Sequence, residues 1–150
     1  MPELRDLYQE LILEHSKAPR NYRALKSADR TAEGYNPLCG DRFKVYLELE
    51  GDIIRDITFQ GSGCAISKAS ASMMTQSLKG KTKDQALRLF ERFCEMVTGR
   101  ASGNGNNADL GKLAVFSGVS EFPTRVKCAT LVWHTLEAAL DGKQEAVSTE

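Results

Sequence analysis

The chain reads as an α+β domain, a small antiparallel β-sheet of about three strands packed in two layers against several α-helices. Three observations predict this. Phe43, Val45, Leu47 and Leu49 alternate with Lys44, Tyr46, Glu48 and Glu50, the period of a half-buried strand. Gly51-Asp52 supplies a turn into a return strand, Ile53 to Phe59, with Ile57 and Phe59 toward the core. On both sides of this hairpin the apolar period changes to that of a helix, and the chain has no internal repeat.

Before the hairpin, Leu4, Leu7, Tyr8, Leu11 and Ile12 form an amphipathic helical stripe that Pro19 brings to an end. Residues 20–38 are mostly polar, with Gly34 and Pro37, and read as a connection that holds at most a short strand. After the hairpin, residues 64–79 contain no Gly or Pro and read as a helix stopped by Gly80. Thr82 and Gln85 form a capping box for a further helix through Val97, with Ala86, Leu89, Phe90, Phe93 and Val97 on one stripe. The Gly- and Asn-rich stretch 101–109 reads as a flexible loop, Leu110 to Phe116 as a short helix, and Pro123 as a break. A last helix is expected from about Lys127 to Leu140, followed by a frayed end over about 143–150.

A single domain over 1–150 follows from the size, because 150 residues that are 41% hydrophobic bury a core without staples. Twenty Lys+Arg balance twenty Asp+Glu. A neutral chain with a pI of about 6.7 has no global charge with which to grip nucleic acid or an anionic membrane. No apolar stretch approaches the roughly 20 residues of a membrane helix. The first residues, Met-Pro-Glu-Leu-Arg-Asp, carry charge at once and no apolar signal region, so a cytoplasmic location is expected. In a reducing compartment cysteines serve as metal ligands or nucleophiles more often than as disulfides.

Three of the four cysteines fall where elements begin or end: Cys39 before the first long strand, Cys64 at a strand-to-helix junction, and Cys128 at the expected start of the last helix. A thiol at a helix N-terminus meets the positive end of the dipole, which favours thiolate. Arg125 and Lys127 add positive charge beside Cys128. Asp41 stands two residues after Cys39 and can supply a fourth donor. Three thiolates and a carboxylate complete a tetrahedral zinc site, and they equally suit an iron–sulfur cluster. Free cysteine also packs as a small hydrophobe, and spacing without a C-x-x-C pair does not choose between these readings. Cys94, inside a regular helix, is assigned to packing. His15 and His134 read as structural, and Ser67, Ser70 and Ser72 have no local partner that would make a nucleophile.

Four stretches go further. They are His15-Ser16-Lys17-Ala18-Pro19-Arg20-Asn21, Asn36-Pro37-Leu38-Cys39-Gly40-Asp41, Gly61-Ser62-Gly63-Cys64-Ala65-Ile66-Ser67, and Arg125-Val126-Lys127-Cys128-Ala129. In these the chain resembles the U-type iron–sulfur cluster assembly proteins, the family that includes IscU, SufU and the N-terminal domain of NifU. Where IscU-like members have a histidine before the third cysteine, this chain has Lys127, and its segment between Cys64 and Cys128 is long, including Gly118–Pro123. Both features are similar to the SufU branch.

The resemblance implies a zinc-binding sulfur acceptor for a SufS-type cysteine desulfurase, with Cys39, Asp41, Cys64 and Cys128 as metal ligands. Cys39 is then the acceptor, unmasked when a histidine of the desulfurase takes its place on the metal, and it carries sulfur away as a persulfide. Arg125 and Lys127 support the Cys128 thiolate. The same resemblance implies downstream cluster-assembly or acceptor proteins as further partners. The alternatives are a scaffold that assembles an iron–sulfur cluster on Cys39, Cys64 and Cys128, and a purely structural zinc interaction domain.

Overall fold

The computed structural model describes residues 4–37, 40–99, 107–142 and 147–148. The sheet is a meander of β1 (Arg30–Asn36), β2 (Asp41–Glu50) and β3 (Ile53–Ser62), with both pairs antiparallel. A two-residue β4 (Val147–Ser148) pairs in parallel with Gly34 and Tyr35, which makes the strand order β3-β2-β1-β4. The helices are α1 (Leu4–Lys17), α2 (Ala65–Leu78), α3 (Lys83–Val97) and α4 (Pro123–Leu140), with a 3₁₀ segment, Asn107–Glu121, kinked at Gly111. α2 and α4 lie on the sheet, α1 packs on α2, and α3 with the 3₁₀ segment packs on α4.

The hairpin alternation holds: Phe43, Val45 and Leu47 on β2 and Ile57 and Phe59 on β3 are buried. The capping box of α3 forms as its sequence dictates, with the Thr82 hydroxyl accepting from the Gln85 amide at 3.1 Å and the Gln85 side chain accepting from the Thr82 amide at 3.0 Å. Gly80 follows α2 with φ 85°, the left-handed conformation for which glycine is suited. Inside, Trp133 of α4 stacks on Phe93 of α3 at 4.7 Å between ring centroids.

Three elements differ from expectation. Residues 30–36 form a full strand, whose inward residues are Ala32, Gly34 and Asn36. These are small or polar because α4 crosses β1 closely; a Cβ on Gly34 would collide with Thr135 and press on Leu131. Apolar periodicity therefore could not reveal it. Pro123 does not break a helix but begins α4 at its first turn, where the missing amide costs no hydrogen bond. Cys128 accordingly lies in the second turn of α4, not at its start. The short helix 110–116 is part of the longer kinked 3₁₀ segment. Of the residues read as a loop (101–109) and a frayed end (143–150), 101–106, 143–146 and 149–150 lie outside the described residues, as do Leu38 and Cys39.

One polar cross-link joins the two helices on the sheet. The Ser70 hydroxyl of α2 donates to the Ala129 carbonyl of α4 at 2.6 Å and accepts from the Trp133 indole at 3.1 Å. Ser70→Ala strands the buried indole N–H and is expected to cost about 1–3 kcal/mol in urea unfolding. Ser16→Ala, at an exposed hydrogen bond, should stay within about 0.5 kcal/mol. Equal stabilities for the two variants would contradict the cross-link's role.

Candidate metal centre

At one end of the sheet the chain gathers three donors. Asn36 closes β1 and pairs across the ladder with Asp41, which opens β2. β3 runs back beside β2 to Gly61 and Ser62, and Gly63 leads to Cys64, the N-cap of α2. α4 brings Cys128 down over the same edge. The carboxylate of Asp41 and the thiols of Cys64 and Cys128 all lie within 4.8 Å of one another.

Two glycines permit this approach. A side chain on Gly61, with φ 149°, would run into the Arg42 carbonyl and the Phe43 backbone. A Cβ on Gly63 would stand 2.5 Å from Asp41 Oδ1 and 3.1 Å from the Phe43 ring. The Gly-x-Gly before Cys64 is thus what lets the β3–α2 turn close over Asp41.

Asp41 is 0% exposed, and no ion pair to it occurs among the described residues. Its Oδ1 accepts from the Cys64 amide at 2.9 Å and its Oδ2 from the Ser67 hydroxyl at 2.6 Å. These bonds use one lone pair on each oxygen and leave others for a cation. A buried carboxylate flanked by two thiols is satisfied by a metal ion. Ligand atoms about 2.0–2.3 Å from a tetrahedral centre stand about 3.5–3.8 Å apart, so a contraction of about 1 Å makes these three a coordination site. The donor set fits zinc.

The thiols are unequal. Hydrogen bonding from Cys128 does most to lower the Cys64 thiol, to about 6. Burial opposes that shift, the Ser67 hydroxyl and amide add to it, and the Asp41 charge works against it. The Ser67 amide points at Cys64 Sγ from 3.5 Å, as the cap of α2 requires. Cys128 is 3% exposed and accepts from the Asn36 side-chain amide at 3.9 Å. Because Cys128 sits in the second turn, the helix-end argument that holds for Cys64 does not reach it. Cys94 is half-buried against the core, and burial, with Glu137 and Glu95, pushes its thiol up to about 12. The packing role suits it.

Among the other candidates, Arg125 is exposed and stacks over the Phe122 ring at 4.9 Å, and Lys127 is half-buried. His15 is buried with Nδ1 2.7 Å from the Ser72 hydroxyl, which also accepts from the Arg20 amide at 2.8 Å. Burial first, then Arg20, holds this imidazole below its ordinary range. His134 packs edge-on against Phe90 at 5.2 Å. Sequence reasoning missed the parts of Ser67 and Asn36. The signal for Ser67 lay in its spacing, three residues after an N-cap, where amide and hydroxyl both face the capping side chain.

A small sheet with two thiols and a carboxylate at its edge marks a candidate metal-binding domain, and the chain belongs to the NifU N-terminal family: the NifU-like N terminal domain matches residues 7–129. It is 45% identical over 134 residues to the zinc-dependent sulfurtransferase SufU of Bacillus subtilis (strain 168), covering 89% of each chain. It is 39% identical over 140 residues to the iron-sulfur cluster assembly scaffold protein IscU of Streptococcus pyogenes serotype M1, covering 93% of this chain and 86% of that one. The crystal structure of a putative iron-sulfur cluster assembly scaffold protein for the SUF system from Fervidobacterium islandicum AW-1 superimposes with a TM-score of 0.83 at 37% identity, over 92% of this chain and 99% of that one.

Two predictions follow from the geometry. Ser67→Ala frees Asp41 Oδ2 and should weaken zinc binding about ten- to hundredfold in competition with a chromophoric chelator, while Ser67→Thr retains most of it. Unchanged affinity in the alanine variant would contradict the bond's role. In metal-free protein at pH 7, a thiol at about 6 is mostly thiolate and one at about 12 is almost wholly protonated. Iodoacetamide should therefore label Cys64 well before Cys94 as followed by mass spectrometry, and the Cys64 rate should fall as the pH drops below 6. Equal labelling rates would contradict the assignment.

Proposed function

We propose that this chain is a zinc-binding sulfur acceptor in iron–sulfur cluster assembly. The observation that carries the reading is the convergence of Asp41, Cys64 and Cys128 within 4.8 Å, with a fully buried carboxylate among them. The identity with the Bacillus sulfurtransferase supports zinc as the metal and sulfur as the cargo. Zinc supplies a redox-inert centre that holds thiolates and exchanges ligands.

Cys64, Cys128 and Asp41 hold the ion, and Cys39 is the fourth ligand and the acceptor. Cys39 follows Leu38 in the β1–β2 connection, one residue before Gly40, whose amide donates to the Asn36 carbonyl at 2.8 Å. That connection ends no helix, so a thiol there leaves the metal without uncapping an element, whereas Cys64 is the cap of α2. The Cys39 thiolate attacks the outer sulfur of a persulfide on the partner, a cysteine desulfurase of the SufS type. A new S–S bond forms on Cys39 while the partner's S–S bond breaks and its cysteine leaves as thiolate, so the step is redox-neutral. Arg125 and Lys127 favour the thiolate form of Cys128 through their charge.

The reading treats 1–150 as one such domain, supported by the family match over 7–129. A reducing cytoplasm suits the free thiols, and no described helix is long and apolar enough to cross a membrane. The Streptococcus relative favours a second reading, a scaffold that binds an iron–sulfur cluster through the same cysteines.

The test is incubation with a SufS-type desulfurase and isotopically labelled cysteine, followed by mapping of the modified residue. Early persulfide is expected on Cys39, and Cys39→Ser should abolish both the label and the stimulation of the desulfurase. Early persulfide on Cys128 with none on Cys39 would overturn the assignment. Cys64→Ala should lose zinc while Cys94→Ala and Lys127→Ala keep it; equal zinc in all three would remove the proposed site.

A further inference from the structure

A concavity lies away from the thiols, between the C-terminal half of α2, the face of α3 and the kink of the 3₁₀ segment. Its volume is about 760 Å³, within the roughly 300–1,000 Å³ of small-ligand pockets. Gln76 on its wall is twelve residues along from Cys64, about 18 Å of helix. The floor is apolar, made by Met73, Leu89 and Leu110. Around it stand Lys81 from the α2–α3 turn, Arg88 from α3, and Lys112 just past the Gly111 kink, all exposed. Arg92 lines the cleft as well but is engaged in another interaction, which leaves Lys81, Arg88 and Lys112 to supply its positive charge.

None of the described residues that line this cleft is acidic, in a chain whose acids and bases are equal in number. Asp84, one turn before Arg88, does not line it. Lys112 also acts on Glu14 of α1, but that carboxylate is already held by Arg20 at 2.6 Å. Gln76, Gln85 and Ser77 add amide and hydroxyl groups at the rim. Cations from three separate elements around an apolar floor suit one kind of ligand, an organic anion with both a charged end and a flat apolar body. A bare phosphate fills a small part of this volume and makes no use of the floor.

We propose that this cleft binds a phosphorylated small molecule of the nucleotide class. The Arg88 guanidinium and the Lys112 and Lys81 ammonium groups take the phosphate oxygens, the arginine through its planar fork. The ring body lies on Met73, Leu89 and Leu110, and the amides of Gln76 and Gln85 meet its polar edge. This site is independent of the metal centre and of the sulfur chemistry.

The full-length protein as purified, titrated calorimetrically with magnesium ATP, inorganic pyrophosphate and a Glu-rich peptide in separate arms, tests it. Saturable one-to-one binding of ATP is expected, tighter than pyrophosphate. Arg88→Ala and Lys112→Ala should each weaken it about tenfold, the loss of one charged hydrogen-bonding partner. Both variants should keep wild-type circular dichroism and zinc content, since both side chains are exposed and neither belongs to the thiol–carboxylate group. Cys64→Ala should bind ATP as the parent does, which separates the cleft from chelation at the metal. No saturation at millimolar ATP, equal affinity for pyrophosphate, binding only of the peptide, or ATP affinity unchanged in an Arg88→Ala/Lys112→Ala double variant would each overturn the proposal. So would loss of ATP binding in Cys64→Ala.

Discussion

Asp41 sets the constraint around which this end of the molecule is built. A carboxylate withdrawn wholly from water needs hydrogen bonds and a countercharge, or it is costly to bury. Here the Cys64 amide and the Ser67 hydroxyl supply two hydrogen bonds, one to each oxygen. The Cys64 amide reaches Asp41 only because Gly61 and Gly63 let the β3–α2 turn pass against β2 without a side chain between them. α2 then begins at Cys64, so the residue that caps the helix is also a donor at the site. Turn, cap and ligand set are one arrangement.

The second thiol is placed by a different device. Cys128 is fixed by the packing of α4 on β1 and β2 and by the Ser70 hydroxyl, which grips the Ala129 carbonyl one residue further on. Small residues on β1 make this possible, since Gly34 admits Thr135 and Leu131 of α4 at close range. The metal is thus offered two thiols on packed helices and a carboxylate on a sheet. In the sequence Cys39 falls between the end of β1 and the start of β2.

Much of this was legible in the sequence, and the failures have physical causes. The β2–β3 hairpin, the capping box of α3 and the glycine stop after α2 are signals that neighbouring residues write locally, without help from distant parts of the chain. β1 was legible only as a short strand because its buried side is Ala32, Gly34 and Asn36, chosen for closeness to α4 and to Cys128 and not for apolarity. Pro123 was misread because the same ring that breaks a helix interior also starts one, and only the fold shows on which side the helix lies. Asp41, Cys64 and Cys128 were candidates from the sequence, but their convergence is a property of the sheet edge and of α4 packed over it. Ser67, set aside as a nucleophile, turns out to orient the carboxylate.

The central claim is that the buried carboxylate shares a metal with cysteine thiolates. X-ray absorption at the zinc edge on the purified protein tests it most directly. Bound zinc with three sulfur neighbours at about 2.3 Å and one oxygen at about 2.0–2.2 Å is expected, the oxygen shell being lost or altered in Asp41→Ala. Zinc surrounded by four sulfurs, an oxygen shell unaffected by Asp41→Ala, or protein that holds no zinc would contradict it.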